Sequence, residues 1–438
     1  MLLNPMHLRV LIPFLMFLFC VRAFGWSEPH QSITKAALRV LPDSDREALA
    51  AEWEMLGEDF CLIPDHVFTD RKNARYAMMD SRPGETYLAV LHLPSKPEEY
   101  QEVLGYFIEK AAGALREGRG GDAARFTGTI CHLIEDYGSP SHTIPGDNMF
   151  TLQQQFLPPP AHMRHKLLHG LIESGSLEVS IEGYHARLLG TSVAEAAWRL
   201  THRIHDAIVN ARGTTVPIIQ ALYQGDTAAI TRHQQIAAKV DAEVVADAIH
   251  TVIALGLNRF PVGVEEVPKR IGLDSFFPLE APNLYYPQKM FFGAPYWGHP
   301  SHGYVLESGE REVPLKLFVA ENEKVTERVF REGIGAGGRS TLTYQLPAGV
   351  FQKFEVLVGL HSELGANGAA EFSILLDGKK GASVQLKGGD SAARLECDLE
   401  GVVQLQLVTA GQGTNPKSNY TVWADPILSK KGSSKPTF

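Results

Sequence analysis

Near Phe260 the hydrophobic pattern of this 438-residue chain changes its period. Upstream, TSVAEAAWRLTHRIHDAIV and KVDAEVVADAIHTVIALGL repeat apolar residues at helical spacing with few β-branched runs. Downstream of a proline- and aromatic-rich stretch, STLTYQLPAG, FQKFEVLVGL, AEFSILLDGK and VVQLQLVTAG alternate apolar with polar residues between glycine turns. One period buries a helix stripe and the other a strand face, so the two parts call for separate cores. The pattern predicts a multidomain protein. It has an all-α bundle over 26–260, a linker over 261–301, an all-β jelly roll or β-sandwich over 302–429 and a short tail over 430–438. The length suffices for two domains with a sizeable core.

The first 25 residues carry Arg9, the apolar run VLIPFLMFLFCV and then Ala23-Phe24-Gly25, with small residues at the first and third places. This is the form of a secretory signal peptide, too short in its apolar core to span a membrane. The chain is therefore expected outside the cytoplasm, extracellular or periplasmic. Phe17-Leu18-Phe19 lacks the small residues a lipoprotein cysteine would need before Cys20. Cleavage after Gly25 would expose Trp26, whose amine and carbonyl can chelate one metal together, with His30 close enough to complete the set.

Metal-binding residue types recur downstream. In TGTICHLIEDYGSPSH, His132, Asp136 and His142 stand four and then six apart. Phe126, Ile130, Leu133 and Ile134 predict a helix over Gly121–Tyr137, which places His132 and Asp136 one turn apart on one face. Gly138, Ser139 and Pro140 then end the helix and swing His142 towards the same side. An imidazole beside a carboxylate suits zinc, although one such pair equally serves to cap or bridge its own helix. CLIPDHVFTD adds Asp65 behind Pro64, YLAVLHLP adds His92, and HMRHKLLHGLIE places His165, His169 and Glu173 at successive turns of a predicted helix. Taken singly, each of these histidines reads as well as a surface or core residue.

The ordered set of Trp26, His30, Asp65, His92, His132, Asp136, His142, His169 and Glu173 resembles the zinc-dependent phospholipase C family, which is related to the S1/P1 nucleases. The resemblance covers 26–260. It implies one zinc held by Asp65, His92, His132 and Asp136, and a second by His142, His169 and Glu173. A third would take the Trp26 amine and carbonyl, His30, and Asp136 as a bridge. It also implies Asp65 as ligand and proton acceptor. Asp65 and His92 are further apart than is usual in that family, which leaves His66 as a competitor; the long stretch before His169 leaves His162 and His165. Only His169 has an acid, Glu173, one turn on.

FEVLVGLHSELGANGAAEFSILLDGK and LQLVTAGQGTNPKSNYTVWADPIL resemble the NPCBM family of carbohydrate-binding modules, with a galactose-binding-like jelly roll. Trp423, Asp425 and Pro426 fit its closing motif, where the tryptophan serves either the core or a sugar. Cys61 and Cys131 lie beside proposed ligand segments and could pair in an oxidising compartment or remain buried thiols, whereas Cys397 has no evident partner. Asn419-Tyr420-Thr421 is a formal glycosylation acceptor. A formal charge of −9 and a pI near 6.0 speak against a dedicated nucleic-acid binder.

Clustered zinc ions imply phosphodiester hydrolysis by an acidified water. A phospholipase C would release diacylglycerol and a phosphorylated headgroup at a membrane surface, with a glycan as partner of the β region. The alternatives are an S1/P1-type single-strand nuclease or 3′-nucleotidase acting on nucleic acid, and a non-catalytic secreted carbohydrate-binding protein with structural zinc. The nuclease branch tends towards a Gly-Asp-His-Gln-Pro stretch, where this chain has Glu135-Asp136-Tyr137-Gly138-Ser139-Pro140. Phospholipase C is the favoured expectation.

Overall fold

The computed structural model describes residues 27–65, 97–143, 157–164, 166–260, 267–276, 278, 300–308, 311–322, 324–412 and 420–431. Trp26 and His92, and the competitors His66 and His165, lie outside the described residues. The chain divides into two compact units between Val262 and Gly263.

The first unit is helical. Its described helices are α1 (Ser27–Val40), α2 (Asp43–Leu49), α3 (Trp53–Glu58), α4 (Pro97–Arg116), α5 (Gly120–Gly138), α6 (Leu168–Ile172), α7 (Val193–Gln224) and α8 (Thr227–Leu257). The local sequence sets the ends of the two longest. Ser192 accepts from the Glu195 backbone N–H at 3.3 Å, and the Glu195 carboxylate accepts from Thr191 N–H at 3.2 Å, a reciprocal start to α7. Gly225 in the left-handed region closes α7, and Asp226 caps α8 by accepting from Ala229 N–H at 3.0 Å, so the chain reverses within two residues. Ile33, Leu56, Phe60, Phe107, Ile134, Ile204 and Ile249 belong to the shared core.

α5 packs against α4, α7 and α8. From Ala123 to Gly138 every residue of it except Arg125 is buried. A helix enclosed on all sides must take its polar residues inside with it, and these are the residues that make the site.

The second unit is all β. It comprises β1 (Arg270–Gly272), β2 (Ser301–His302), β3 (Tyr304–Glu307), β4 (Arg311–Glu321), β5 (Lys324–Phe330), β6 (Gly333–Ala336), β7 (Arg339–Gln345), β8 (Phe351–Leu360), β9 (Ala369–Leu376), β10 (Lys379–Lys387), β11 (Ala393–Asp398), β12 (Gln404–Gln412) and β13 (Thr421–Lys430). One antiparallel sheet runs β11-β8-β13-β6-β2 with β1 also on β13; a second runs β10-β9-β12-β7; β3-β4-β5 form a third. Trp423 of β13 meets Phe372 of β9 edge to face at 5.4 Å, joining the first two sheets as a sandwich. Trp423 is fully buried and belongs to that core, not to a sugar-stacking surface.

The segment expected to be a linker, 261–301, also contains regular structure: β1, the 3-10 turn Leu273–Ser275 and Ser301 of β2. Arg270–Gly272 form β1, which pairs antiparallel with Ser429–Ile427 at the end of the domain. A three-residue strand is too short to show a period, which is why alternation alone misses it. Cys61, Cys131 and Cys397 are free, buried thiols. No described helix is long and apolar enough to cross a membrane.

Candidate metal centre

α5 and α1 build the first group of side chains. His132 and Asp136 lie one turn apart on α5, with His132 Nε2 3.3 Å from Asp136 Oδ2. His30 on α1 brings its Nε2 to 3.5 Å from the other oxygen, Asp136 Oδ1. One carboxylate thus divides its oxygens between two imidazoles, whose rings stack 4.3 Å apart at 29°. Asp65 Oδ1 stands 3.8 Å from His132 Nε2. Ligand atoms of His30, Asp65 and His132 lie within 4.8 Å of one another.

A backbone contact holds this arrangement in place. A Cβ on Gly128 would fall 2.4 Å from the Phe60 carbonyl oxygen, so only glycine lets α5 press directly on the 3-10 turn Phe60–Leu62. That approach carries the Cys61 carbonyl to His132, which donates to it from Nδ1 at 2.7 Å. His30 donates from Nδ1 to Glu135 Oε2 at 2.9 Å, and Thr34 Oγ1 donates to Glu135 Oε1 at 2.5 Å. With each Nδ1 engaged on its outer side, each Nε2 presents its lone pair inward.

The second group forms where α5 ends. Ser139 leaves the helix with ψ 130, and His142 comes round to Glu173. Glu173 Oε1 is 3.0 Å from His142 Nε2 and 3.0 Å from His169 Nε2. Ser141 Oγ donates to the same oxygen. The two rings meet edge to face at 5.0 Å, and the donor atoms of all three residues lie within 4.8 Å. The long helix expected through His165 and Glu173 is instead a 3-10 turn, Ala161–Met163, followed by the short α6. Arg164 and Leu167 take extended ψ values of 136 and 135, which breaks the helix while keeping His169 and Glu173 one turn apart. His162 is committed elsewhere, its Nε2 donating to the Leu222 carbonyl at 2.8 Å.

Burying this much charge has a clear electrostatic signature. Burial alone would depress His132, but Asp136, Asp65 and Glu135 outweigh it and push its pKa up to about 10. His142 is likewise depressed by burial and raised, to about 9, by Glu173 and Asp136. Burial would raise the acids, yet the imidazoles win: His132, His142 and His30 hold Asp136 well below the carboxylate range, and His142 and His169 bring Glu173 down to about 2. Carboxylates that so strongly favour positive charge on their imidazoles are equally disposed to favour a cation between them. Nitrogen and carboxylate oxygen, with three or more donors per group, fit zinc, and in the first group the rings of His30 and His132 are also fixed from behind.

The structure therefore brings together seven of the nine expected ligands, and the remaining two, Trp26 and His92, lie outside the described residues. Sequence reasoning did not single out Glu135, Thr34 or the Cys61 carbonyl. Glu135 had a visible signal, an acid beside Asp136 inside an apolar helix; the carbonyl had none.

Residues 299–429 match the NPCBM/NEW2 domain family. No curated protein matches the chain. A structure of CBM51 from Clostridium perfringens GH95 with methyl-galactose is 20% identical, with 36% of this chain and 99% of that one covered and a TM-score of 0.30. A structure of the CBM51-2 and INT domains of Clostridium perfringens ZmpB is 17% identical over 37% of this chain, with a TM-score of 0.30, and the chain spans only 32% of its length. The alpha toxin of Clostridium absonum is 10% identical over 93% of this chain and 97% of that one, with a TM-score of 0.32. These likenesses assign no activity.

Proposed function

We propose that the chain is a secreted zinc-dependent phosphodiester hydrolase of the phospholipase C type. The observation that carries this reading is the position of Asp136, one oxygen towards His30 and the other towards His132, with His142 of the second group within electrostatic reach. A buried carboxylate shared in this way costs several kcal/mol unless cations offset it, by the order of magnitude known for buried charges. Asp65, His92, His132 and Asp136 would hold one zinc, His142, His169 and Glu173 a second, and the Trp26 terminus, His30 and Asp136 a third. Bound zinc supplies positive charge to phosphoryl oxygens and a water acidified towards neutrality.

The chain's own groups then divide the work. The Asp65 side chain is 17% exposed beside a sealed His132, and takes the proton of the attacking water at its carboxylate. His142 and His169, at 18% and 28% exposure, form the side of the centre open to a phosphodiester. Net negative charge disfavours a polyanionic nucleic acid and leaves a membrane phospholipid as the preferred substrate. A glycan at the cell surface is the partner proposed for the β unit, a reading supported by its NPCBM match.

The test is an assay of the purified chain on phosphatidylcholine vesicles and on single-stranded DNA, with zinc measured on the same sample. Zinc together with diacylglycerol release supports the proposal. Cleavage of DNA alone replaces it with the nuclease reading, and zinc without turnover of either substrate leaves a structural role.

A further inference from the structure

The two stacked imidazoles are held from behind by unlike acceptors. His132 Nδ1 donates to a neutral main-chain carbonyl, that of Cys61. His30 Nδ1 donates to a full carboxylate, Glu135 Oε2, at 2.9 Å. Both His30 and Glu135 are completely buried. Thr34, one turn after His30 on α1, donates to the other Glu135 oxygen, so the carboxylate is clamped between two groups of one helix. Glu135 has no path to solvent and no surface role to explain it.

We infer that Glu135 is a positioning residue for His30, holding its Nδ1–H so that Nε2 is the metal-facing atom and is made a stronger donor by the charge behind it. This rests on the zinc reading above. A carboxylate on the far side of a ligating imidazole fixes the tautomer and ring orientation and raises the basicity of the other nitrogen, and losing it typically weakens metal affinity about 10- to 100-fold. A carbonyl fixes the tautomer as well but adds no charge. The consequence is an asymmetry within one centre: the metal that uses His30 depends on Glu135, whereas the group of His142, His169 and Glu173, with no hydrogen bond to Glu135, does not.

Two variants separate positioning from mere packing. Glu135→Gln keeps the shape and an acceptor oxygen but removes the charge, while Thr34→Val removes the other hydrogen bond on the same carboxylate without touching His30. Zinc titration of the wild-type chain and of both variants, with cobalt(II) absorption as a second probe, reads metal binding directly. Nitrogen-15 shifts of His30 in metal-free protein read the tautomer.

For Glu135→Gln, the zinc that uses His30 is expected to bind about 10-fold more weakly, with the zinc at His142, His169 and Glu173 unchanged. The His30 ring should keep its Nδ1–H form, because the amide oxygen still accepts, so that the loss of affinity reports the missing charge and not a turned ring. Thr34→Val should leave both readouts near wild type. Full zinc affinity in Glu135→Gln, or a His30 ring already mixed between tautomers in the metal-free wild-type chain, would overturn the inference while leaving the zinc reading intact. A wild-type chain that binds no zinc would overturn both.

Discussion

Histidines are buried in both units, but they are used in opposite ways. In the β unit His361 Nε2 donates to the Pro314 carbonyl at 3.0 Å, while its Nδ1 accepts from Glu363 and Leu364 N–H at 3.3 and 3.2 Å. Both nitrogens are spent on the backbone, the ring is neutral, and burial lowers its pKa. In the helical unit His132 gives one nitrogen to a carbonyl and turns the other to carboxylates, which raise it to about 10. Burial does not separate the two cases. His202 and His205 on α7 are half-buried, and desolvation lowers them to about 3 and about 4. What distinguishes a ligand-like histidine from a core histidine is the acid in front of its second nitrogen.

The sharpest way to break this contrast is Asp136→Ala. It removes the carboxylate that faces both His30 and His132 and that helps raise His142. Turnover is expected to fall by about three orders of magnitude or more, in keeping with loss of a group that acts as part of one unit. Zinc content should drop by more than one equivalent, because two of the proposed sites share this residue. Unchanged turnover with an intact fold would reduce this face of α5 to ordinary helix interior.

A truncation near Phe260 tests the contrast at the level of whole units. All described candidate ligands lie in the helical unit, which is compact by itself. The shortened chain should keep its zinc and its rate on a soluble phosphodiester. Its rate on vesicle- or cell-bound substrate should fall by about 10- to 100-fold, the loss of effective concentration that an appended binding module supplies. Loss of soluble-substrate turnover from a folded, zinc-loaded fragment would show that the β unit completes the centre.

His361→Ala probes the other side. The substitution takes the partners from two backbone N–H groups and one carbonyl in a partly buried turn, so the β unit should lose about 1 kcal/mol or more of stability in denaturant unfolding. Zinc content should not change. A loss of zinc would mean that the structural and ligand-like uses of histidine are not confined to separate units.

Much of this was legible in the sequence, and the residues show why. The period change near Phe260 gave the two fold classes, since helical and strand periods are local properties of the chain. The expected helix over Gly121–Tyr137 is found as Gly120–Gly138 because its stop signals are local too. The helix expected through His165 was not found, because extended backbone at Arg164 and Leu167 answers to tertiary packing that spacing does not report. β1 pairs with a strand over 150 residues away in sequence, and nothing within its three residues announces that. The Cys61 carbonyl was invisible for a different reason. Every residue has one, and only the close approach at Gly128 brings this one to His132.

Asp241 on α8 tests whether a buried acid in the helical unit must be part of the centre. It is wholly buried against Gly138, where a Cβ would fall 1.7 Å from Asp241 Oδ1, so the glycine makes room for the carboxyl. Neither of its oxygens has a hydrogen-bond partner among the described residues. Burial first, and then the charge of Glu135, push its pKa well above the ordinary carboxylate value. The folded chain therefore holds a proton that the unfolded chain releases near pH 4, a value of about 3.9 being usual for a free aspartate. The sign follows from that difference: the favourable contribution is complete below this pH and is lost as pH rises above it. Asp241→Asn keeps the shape and cannot ionise. Urea unfolding of metal-free protein should find the variant more stable than wild type near pH 8, by about 1.4 kcal/mol for each pH unit by which folding raises the wild-type carboxyl below that pH. The gap should close as pH falls towards 4, with zinc content unaltered throughout. A variant that is instead less stable at pH 8, and poorer in zinc, would place Asp241 among the carboxylates that serve the metals.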